Sequence, residues 1–290
     1  MSEFVILTDS SCDFPAELAE RLQVQALPLA VFIDDNTYYN HLDHRDITPH
    51  AFYEKLKTAK DFKTSAINQS RFLEWMEPIV ASGKDLIYFG FSSGLSANFS
   101  ASMIAINELR EKYPERKLFA IDTLSASLGQ GLLIYLSCQK KQAGATIEEV
   151  RDFAESMIHK IAHWFTVDNL MFLKRGGRIS ASTAIVGSVL SIKPVMHMDD
   201  EGHLVKTGIA RGRKASIRAL VAEMEKTAID PVNQTVFISH GDCLEDAEFL
   251  AALIREKTGV KDIIIGYVGP VIGAHSGPGT LALFFVANHR

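Results

Sequence analysis

Short apolar runs alternate with helix-like stretches through the first 160 residues, and this alternation restricts the possible folds more than any other feature. Residues 4–8, 85–91 and 117–121 are apolar runs of strand length. Helices are predicted between and after them, over residues 95–112 and 125–142. Strands that alternate with helices are typical of a largely parallel sheet packed between helices. The pattern therefore predicts an N-terminal α/β domain built on a parallel sheet.

Capping signals mark several helix starts in this half. Thr146 and Glu149 have the spacing of a capping box. Thr48 and Asp13 are each followed by proline within two residues, so both are expected to cap helices with proline in the first turn. Residues 26–33 are apolar throughout and predict one continuous second strand.

The pattern changes after about residue 160. Residues 191–198 and 203–207 flank the turn Asp199-Asp200-Glu201-Gly202, and this arrangement predicts a β-hairpin. Further strands are predicted over residues 234–240, 262–268 and 280–286, and helices over residues 214–228 and 244–257. We therefore predict a C-terminal mixed-sheet α+β domain, with the two domains at residues 1–160 and 161–290.

Composition narrows the functional class. The 290 residues favour two domains, and 47% hydrophobic with 22% charged residues is ordinary for a globular protein. The net charge of -5 argues against bulk affinity for nucleic acid. No apolar run reaches the ~20 residues of a membrane span, and the N-terminus lacks the basic region of a signal peptide. The three cysteines lie far apart without metal-binding spacing, so we expect reduced thiols and a cytoplasmic protein.

Two common nucleotide-binding motifs and the usual histidine spacing of metal sites are missing from the sequence. There is no Walker A motif and no Gly-x-Gly-x-x-Gly between a strand and a helix, so the sequence shows no nucleotide-phosphate cradle. The histidines have no His-Glu-x-x-His or similar spacing. We expect neither a cofactor nor a metal ion.

A segment rich in glycine and proline, from Gly269 to Phe285, is suited to holding one histidine in a fixed place. It contains four glycines, two prolines and His275, and it ends in an apolar run. Glycine permits close backbone approach and positive φ, and proline stiffens turns. We predict a rigid loop that presents His275.

A nucleophile-elbow pattern lies at residues 90–94, where Gly-Phe-Ser-Ser-Gly sits between a predicted strand and helix. With Ser92 as nucleophile, Asp242 and His275 would complete a serine-esterase triad in the order Ser, Asp, His. Hydrolases with a nucleophile elbow also need an early loop, usually with glycine, that supplies a backbone N–H to the oxyanion hole. The first glycine of this chain is Gly83, so the esterase stays an alternative hypothesis.

The same polar residues predict a carboxylate site without a nucleophile. Hydroxyls of Thr64, Ser65, Ser92 and Ser93 lie at predicted loop ends, and the imidazole of His275 adds a donor. Such groups can hold a carboxylate by charge-assisted hydrogen bonds. At the mouth of an apolar cavity they would suit a fatty acid.

Two arginines lie in glycine-containing turns. Arg178 follows Gly177, and Arg211 precedes Gly212. A turn of this kind can hold a planar guanidinium in place for an anion, so both arginines are candidates for contact with a phosphate or an acidic partner.

Taken together, these motifs closely resemble those of the DegV family, the fatty-acid-binding subunits of bacterial fatty acid kinase. The resemblance extends over nearly the whole chain and is carried by Thr8-Asp9-Ser10 with Asp13, Lys63-Thr64-Ser65, Ser92-Ser93-Gly94-Leu95-Ser96, Ile121-Asp122-Thr123, residues 174–180, Ile192-Lys193-Pro194 and residues 269–279. The sequence departs from the family pattern after Ser65, where the usual proline is missing, and at Ala97, where glycine is usual.

The resemblance implies two α/β domains with the ligand between them, in an apolar tunnel. It implies that Thr64, Ser93 and His275 hold the fatty-acid carboxylate, with Ser65 and Ser92 as near alternatives. Whether Thr64 or Ser65 makes the contact is left open. Arg178 and Arg211 match the family arginines that are associated with the kinase partner.

The function that the resemblance implies is that of a non-catalytic subunit. The chain would bind a long-chain fatty acid, allow transient membrane contact, and present the carboxylate to an ATP-dependent fatty acid kinase that makes the acyl phosphate. Two alternatives remain: the serine esterase with Ser92 and His275, and a subunit of a dihydroxyacetone-kinase-like system that holds a small polyol on His275.

Overall fold

The chain is built around three β-sheets in a computed structural model that describes residues 3–180 and 192–290. Its strands are β1 (Phe4–Asp9), β2 (Gln25–Leu27), β3 (Ala30–Ile33), β4 (Asn36–Tyr39), β5 (Phe62–Ser65), β6 (Asp85–Gly90), β7 (Leu118–Asp122), β8 (Ile161–Thr166), β9 (Ile192–Met198), β10 (Leu204–Arg211), β11 (Thr235–His240), β12 (Asp262–Tyr267) and β13 (Leu281–Val286). Its α-helices are α1 (Ala16–Leu22), α2 (Pro49–Thr58), α3 (Gln69–Ala81), α4 (Asn98–Lys112), α5 (Leu128–Gln142), α6 (Ile147–Met157), α7 (Met171–Arg175), α8 (Arg213–Thr227), α9 (Leu244–Thr258) and α10 (Pro270–Ser276).

The predicted parallel sheet of the first half is confirmed. Its strand order is β2-β1-β6-β7, and every neighbouring pair is parallel. Strand β6 is buried along its whole length, as expected for a central strand covered by helices on both faces. The carboxyl ends of β1 and β6 meet at one edge, the usual place for a ligand site in such a sheet.

A small antiparallel sheet in this half does not follow the predicted pattern. Its strand order is β4-β3-β5. The prediction of one strand over residues 26–33 is wrong, since the chain leaves the parallel sheet after Leu27 and enters the small sheet at Ala30. Pro28 separates the two strands, and its missing N–H cannot continue a sheet ladder.

The mixed sheet of the second half is also confirmed. Its six strands have the order β10-β9-β8-β13-β11-β12, with β11 and β12 parallel and the other neighbouring pairs antiparallel. Strands β9 and β10 form the predicted hairpin. The strands change from the parallel to the mixed sheet between Asp122 and Ile161, and a boundary at residue 160 stays a prediction.

Two of the three predicted helix caps are present. The Thr48 hydroxyl accepts from the Ala51 amide, and Thr146 and Glu149 form the capping box of α6. Asp13 does not cap α1; it has a left-handed backbone (φ 52°) at the end of a 3-10 turn. Its carboxyl group is buried instead and accepts a hydrogen bond from Ser127.

Helix α5 joins the two halves into one core. Side chains on all its faces are buried for most of its length. A methyl group at Gly131 would lie 2.8 Å from Phe14 of the first half, and one at Gly129 would lie 2.1 Å from Nε2 of His163 in the second. Glycine therefore allows close contact on both sides, and the cluster around α5 includes buried side chains of both halves. No helix within the described ranges is long and apolar enough to cross a membrane.

Candidate functional site

A cavity of about 220 Å³ lies between the two halves, beside α5 and α10. The parallel-sheet half contributes loop residues after β1, β5, β6 and β7 to its wall, and the mixed-sheet half contributes strand residues. Much of the wall is apolar, as shown by Phe165, Leu173, Met198, Leu204 and Phe284. A mainly apolar cavity with a few convergent polar groups is typical of a small-molecule site.

His275 and Thr64 meet at this cavity. Thr64 is held in β5 opposite Val31, and its Oγ1 lies 2.8 Å from Nε2 of His275. His275 lies in the last turn of α10, a seven-residue helix with Pro270 at its first turn. The predicted rigid loop is therefore a short helix in its first part, and it does place the imidazole at the cavity wall.

The His275 side chain is strongly desolvated. Burial, with a smaller effect from the nearby Arg178 guanidinium, lowers the pKa of His275 to about 4. The imidazole is therefore neutral at pH 7 and carries one N–H. Its Nδ1 is buried without a hydrogen-bond partner in the described residues. Gly176 makes this packing possible, since a methyl group there would lie 2.2 Å from Nδ1.

Arg178 supplies positive charge at the same wall. Its Nε donates to the Leu95 carbonyl at 3.1 Å, and its Nη1 donates to the Gly176 carbonyl. Burial lowers the pKa of Arg178, although arginine stays charged at neutral pH. No carboxylate in the part of the chain that the structure describes forms an ion pair with it. A half-buried cation held by two carbonyls is suited to an anionic ligand group.

Ser65 lines the cavity, whereas Ser92 and Ser93 do not. The Ser92 hydroxyl is buried and donates to the Gly202 carbonyl at 2.8 Å. Ser93 is exposed, and its amide donates to Asp122. Ser92 thus attaches this loop to the β9–β10 hairpin. Carboxylate contacts from Ser92 or Ser93 stay predictions.

The cavity serine of this loop is Ser96, which sequence reasoning did not select. The predicted helix over residues 95–112 begins only at Asn98, so Leu95 and Ser96 remain in the loop and face the cavity. The Ser96 hydroxyl accepts from the Asn98 amide at 3.2 Å, as a serine before a helix often does. A serine two residues before the start of a helix is a local turn signal that could have identified the position.

Arg211 lies away from the cavity. It ends β10 opposite Ile192, and its side chain is exposed. The two candidate arginines are therefore not brought together at the cavity, and a contact between Arg211 and a partner stays a prediction.

The three groups of the esterase hypothesis are not assembled. Ser92 is hydrogen-bonded to Gly202, and His275 is hydrogen-bonded to Thr64. Asp242 lies 2.9 Å from Nδ1 of His50. A triad needs the nucleophile, base and acid in hydrogen-bond contact with one another. The geometry therefore does not support this alternative.

One surface group in the described ranges has metal-ligand spacing, formed by His50, Glu54 and Asp242. Two of these side chains are exposed, and none lines the cavity. Asp242 is already paired with His50, and Glu54 with Lys57.

Comparisons with known proteins identify the family. A family model described as "Uncharacterised protein, DegV family" matches residues 3–288. A DegV domain-containing protein of Clostridium perfringens is 46% identical over 290 residues, covering 100% of this chain and 99% of the relative.

Solved structures agree over the full length. A crystal structure described as a DegV lipid-binding protein from Thermotoga maritima has a TM-score of 0.88 and 26% identity, and the match covers 99% of each chain. A DegV family protein from Thermus thermophilus, whose structure is described in terms of fatty acid binding, has a TM-score of 0.87 and 25% identity over 99% of this chain and 100% of its own. The chain therefore belongs to the DegV family.

Proposed function

We propose that this protein binds a long-chain fatty acid in the cavity between its two halves. The observation that carries the proposal is the apolar wall that ends in Thr64, His275 and Arg178. Fatty acid or lipid binding by relatives of the same fold supports it.

The polar cluster fits a carboxylate in charge and in hydrogen-bond capacity. Arg178 offers a cation without an acidic partner in the described ranges. When Nε2 of His275 carries the proton, it donates to Oγ1 of Thr64, and the Thr64 hydroxyl hydrogen is then free for a ligand oxygen. Hydrogen bonds to a charged group are stronger than neutral ones, so this cluster would fix the position of the carboxylate.

Most of the affinity would come from the hydrocarbon chain. Burial of a methylene group contributes about 0.8 kcal/mol. Side chains such as Phe165, Met198 and Phe284 offer the surface that such a chain needs.

We further propose that the bound acid is a substrate for another protein. The sequence has no nucleotide-phosphate cradle, so phosphorylation would require an ATP-dependent kinase partner. This protein would present the carboxylate, carry the acyl phosphate afterwards, and have no catalytic activity alone. Exposed Arg211 is the candidate for contact with that partner, and we expect both proteins in the cytoplasm.

The test is mass spectrometry of an organic extract of the purified protein. Near-stoichiometric fatty acid that is missing from a mock extract is the expected result, and its mass identifies the preferred chain. An extract that stays empty after incubation with mixed fatty acids would reject the proposal.

A further inference from the structure

The cavity wall also contains three buried serines in addition to the Thr64–His275 pair. Ser127, which precedes α5, Ser239 in β11 and Ser276 in α10 all line the cavity. Each is at least 95% buried. A buried hydroxyl destabilises the fold unless it finds a hydrogen-bond partner, so serines in a mainly apolar wall need an explanation.

Two of these serines form a chain with Asp13. The Ser127 hydroxyl lies 2.6 Å from Oδ2 of Asp13 and 3.0 Å from Oγ of Ser239. Ser127 has one hydrogen and can donate to only one of these neighbours at a time. The chain therefore has two possible directions.

Both directions leave hydrogen-bond capacity on Ser239. If Asp13 is ionised, Ser127 donates to it and Ser239 donates to Ser127, so the lone pairs of Ser239 stay available. If Asp13 is protonated, it donates to Ser127, Ser127 donates to Ser239, and the Ser239 hydrogen is free. Burial raises the pKa of Asp13 to about 8, so the second direction is accessible at neutral pH.

Ser276 has unused capacity of its own. Its Oγ is buried and has no hydrogen-bond partner in the described residues. Because Ser276 lines the cavity and its hydroxyl has no partner there, this hydroxyl is available to a polar group of the ligand. An alcohol fits best, because it can donate and accept and so matches Ser239 in either direction of the chain.

We propose that the cavity accepts long-chain fatty acids that carry a hydroxyl group on the hydrocarbon chain, and that Ser239 and Ser276 hold this hydroxyl. This inference rests on the proposed fatty-acid function. The ligand class proposed here is narrower than long-chain fatty acids in general. It is a fatty acid with a hydroxyl group at one preferred position of its hydrocarbon chain. Position matters because the distance from the carboxylate cluster to the serines is set by the fold.

The test compares stearic acid with a series of its positional hydroxy isomers, by displacement of a fluorescent long-chain acid. In the wild type, at least one isomer should bind as tightly as stearic acid or more tightly. Ser239→Ala and Ser276→Ala should each lower the affinity for that isomer by about 3- to 10-fold, the effect of one hydrogen bond. The affinity for stearic acid should stay within about 2-fold of the wild-type value.

Ser137→Ala is the matched control. Ser137 is a fully buried serine of α5 whose hydroxyl donates to the Leu133 carbonyl, and it does not line the cavity. Its replacement should therefore change the affinity for neither ligand. Thermal melts of all variants check folding. Ser276→Ala covers the case in which Ser239→Ala fails to fold.

The outcomes separate the two proposals. The hydroxyl inference alone would be overturned if the wild type bound stearic acid but bound every hydroxy isomer more weakly. It would also be overturned if the serine substitutions weakened the binding of both ligand types equally. No binding of any long-chain acid would overturn the proposed function and this inference with it.

Discussion

At the scale of single residues, Thr64 connects the fold to the proposed chemistry. Its hydroxyl faces His275 and the cavity, and Thr64→Val removes the hydroxyl with little change in shape. Because a hydrogen bond to a charged group contributes about 1.5–3 kcal/mol, fatty-acid affinity should fall by about 10- to 100-fold. Calorimetric titration measures this loss.

Thr37→Val is the control for that variant. Thr37 lies in the same small sheet, in β4, but it is exposed and outside the cavity. Affinity within about 2-fold of wild type for Thr64→Val, a change smaller than one hydrogen bond, would contradict a carboxylate contact.

His275 makes stability depend on pH in a predictable direction. Its pKa is lowered from 6.5 to about 4 in the folded state, so below pH 6.5 the unfolded chain binds a proton that the folded chain does not. The His275 contribution to the free energy of unfolding should be full above pH 6.5 and fall as the pH drops toward 4. His275→Gln keeps a donor but cannot titrate.

Urea unfolding of both proteins at pH 7 and pH 4.5 measures this dependence. The wild type should lose more stability on acidification than His275→Gln. Equal losses would show that the imidazole titrates normally. The other histidines are present in both proteins and cancel in the comparison.

His275→Ala tests whether the polar cluster mainly positions the carboxylate while burial of the hydrocarbon chain supplies the affinity. Loss of the imidazole should weaken phosphorylation by the proposed kinase partner more than it weakens binding of the fatty acid, because the hydrocarbon chain would supply most of the affinity. Phosphate transfer and ligand binding are measured on the same preparation. An equal loss of both would argue against this division.

At the scale of helices and strands, the capping box of α6 is a stability device with no part in the site. The Thr146 hydroxyl accepts from the Glu149 amide at 3.2 Å, and the Glu149 carboxylate accepts from the Thr146 amide at 2.7 Å. Thr146→Ala should lower the free energy of unfolding by about 1 kcal/mol. Ser156→Ala, in the same helix but not at its cap, should change it by less than about 0.5 kcal/mol. Chemical denaturation of both variants tests the difference.

Local patterns predicted these elements well where one physical rule dominates. The alternation of strands and helices, the hairpin around residues 199–202 and the caps at Thr48 and Thr146 depend on neighbours in sequence. The rule failed where distant contacts decide the outcome. Asp13 is recruited by Ser127 into a buried network, so it does not cap the nearby helix.

The candidate site shows the same limit. Thr64, Ser65, His275 and Arg178 all line the cavity, although Arg178 was expected to contact a phosphate or an acidic partner. That any of them holds a carboxylate stays a prediction. Ser96 was not selected because the helix predicted over residues 95–112 begins only at Asn98, which leaves Ser96 in the loop at the cavity wall. The approach of Ser92 to Gly202 depends on a hairpin 110 residues away, which no local pattern reveals.

At the scale of the whole molecule, Arg290 ties the two halves together. Its guanidinium donates to the Asp199 carbonyl at 3.0 Å in the second half, and to the Ser125 hydroxyl at 3.1 Å in the first. Burial lowers the pKa of Arg290 to about 10, so it is still charged at neutral pH. Arg290→Met keeps the apolar stem and should cost about 1–3 kcal/mol of stability by leaving these acceptors unpaired.

Thermal unfolding of Arg290→Met measures this cost. Lys206 is a partly buried cation of β10, so Lys206→Met is the matched control for loss of a positive charge. Equal melting temperatures for Arg290→Met and the wild type would show that the contacts to Asp199 and Ser125 contribute nothing.

The position of α5 has a consequence for chimeras within the family. Gly129 is matched to His163 on one side, and Gly131 to Phe14 on the other, so the helix is fitted to both halves at once. An exchange of second halves between two relatives leaves α5 facing a foreign sheet wherever the junction is placed. Functional hybrids will therefore need a helix α5 adapted to both parents, and recombination within this fold will favour small segments over whole domains.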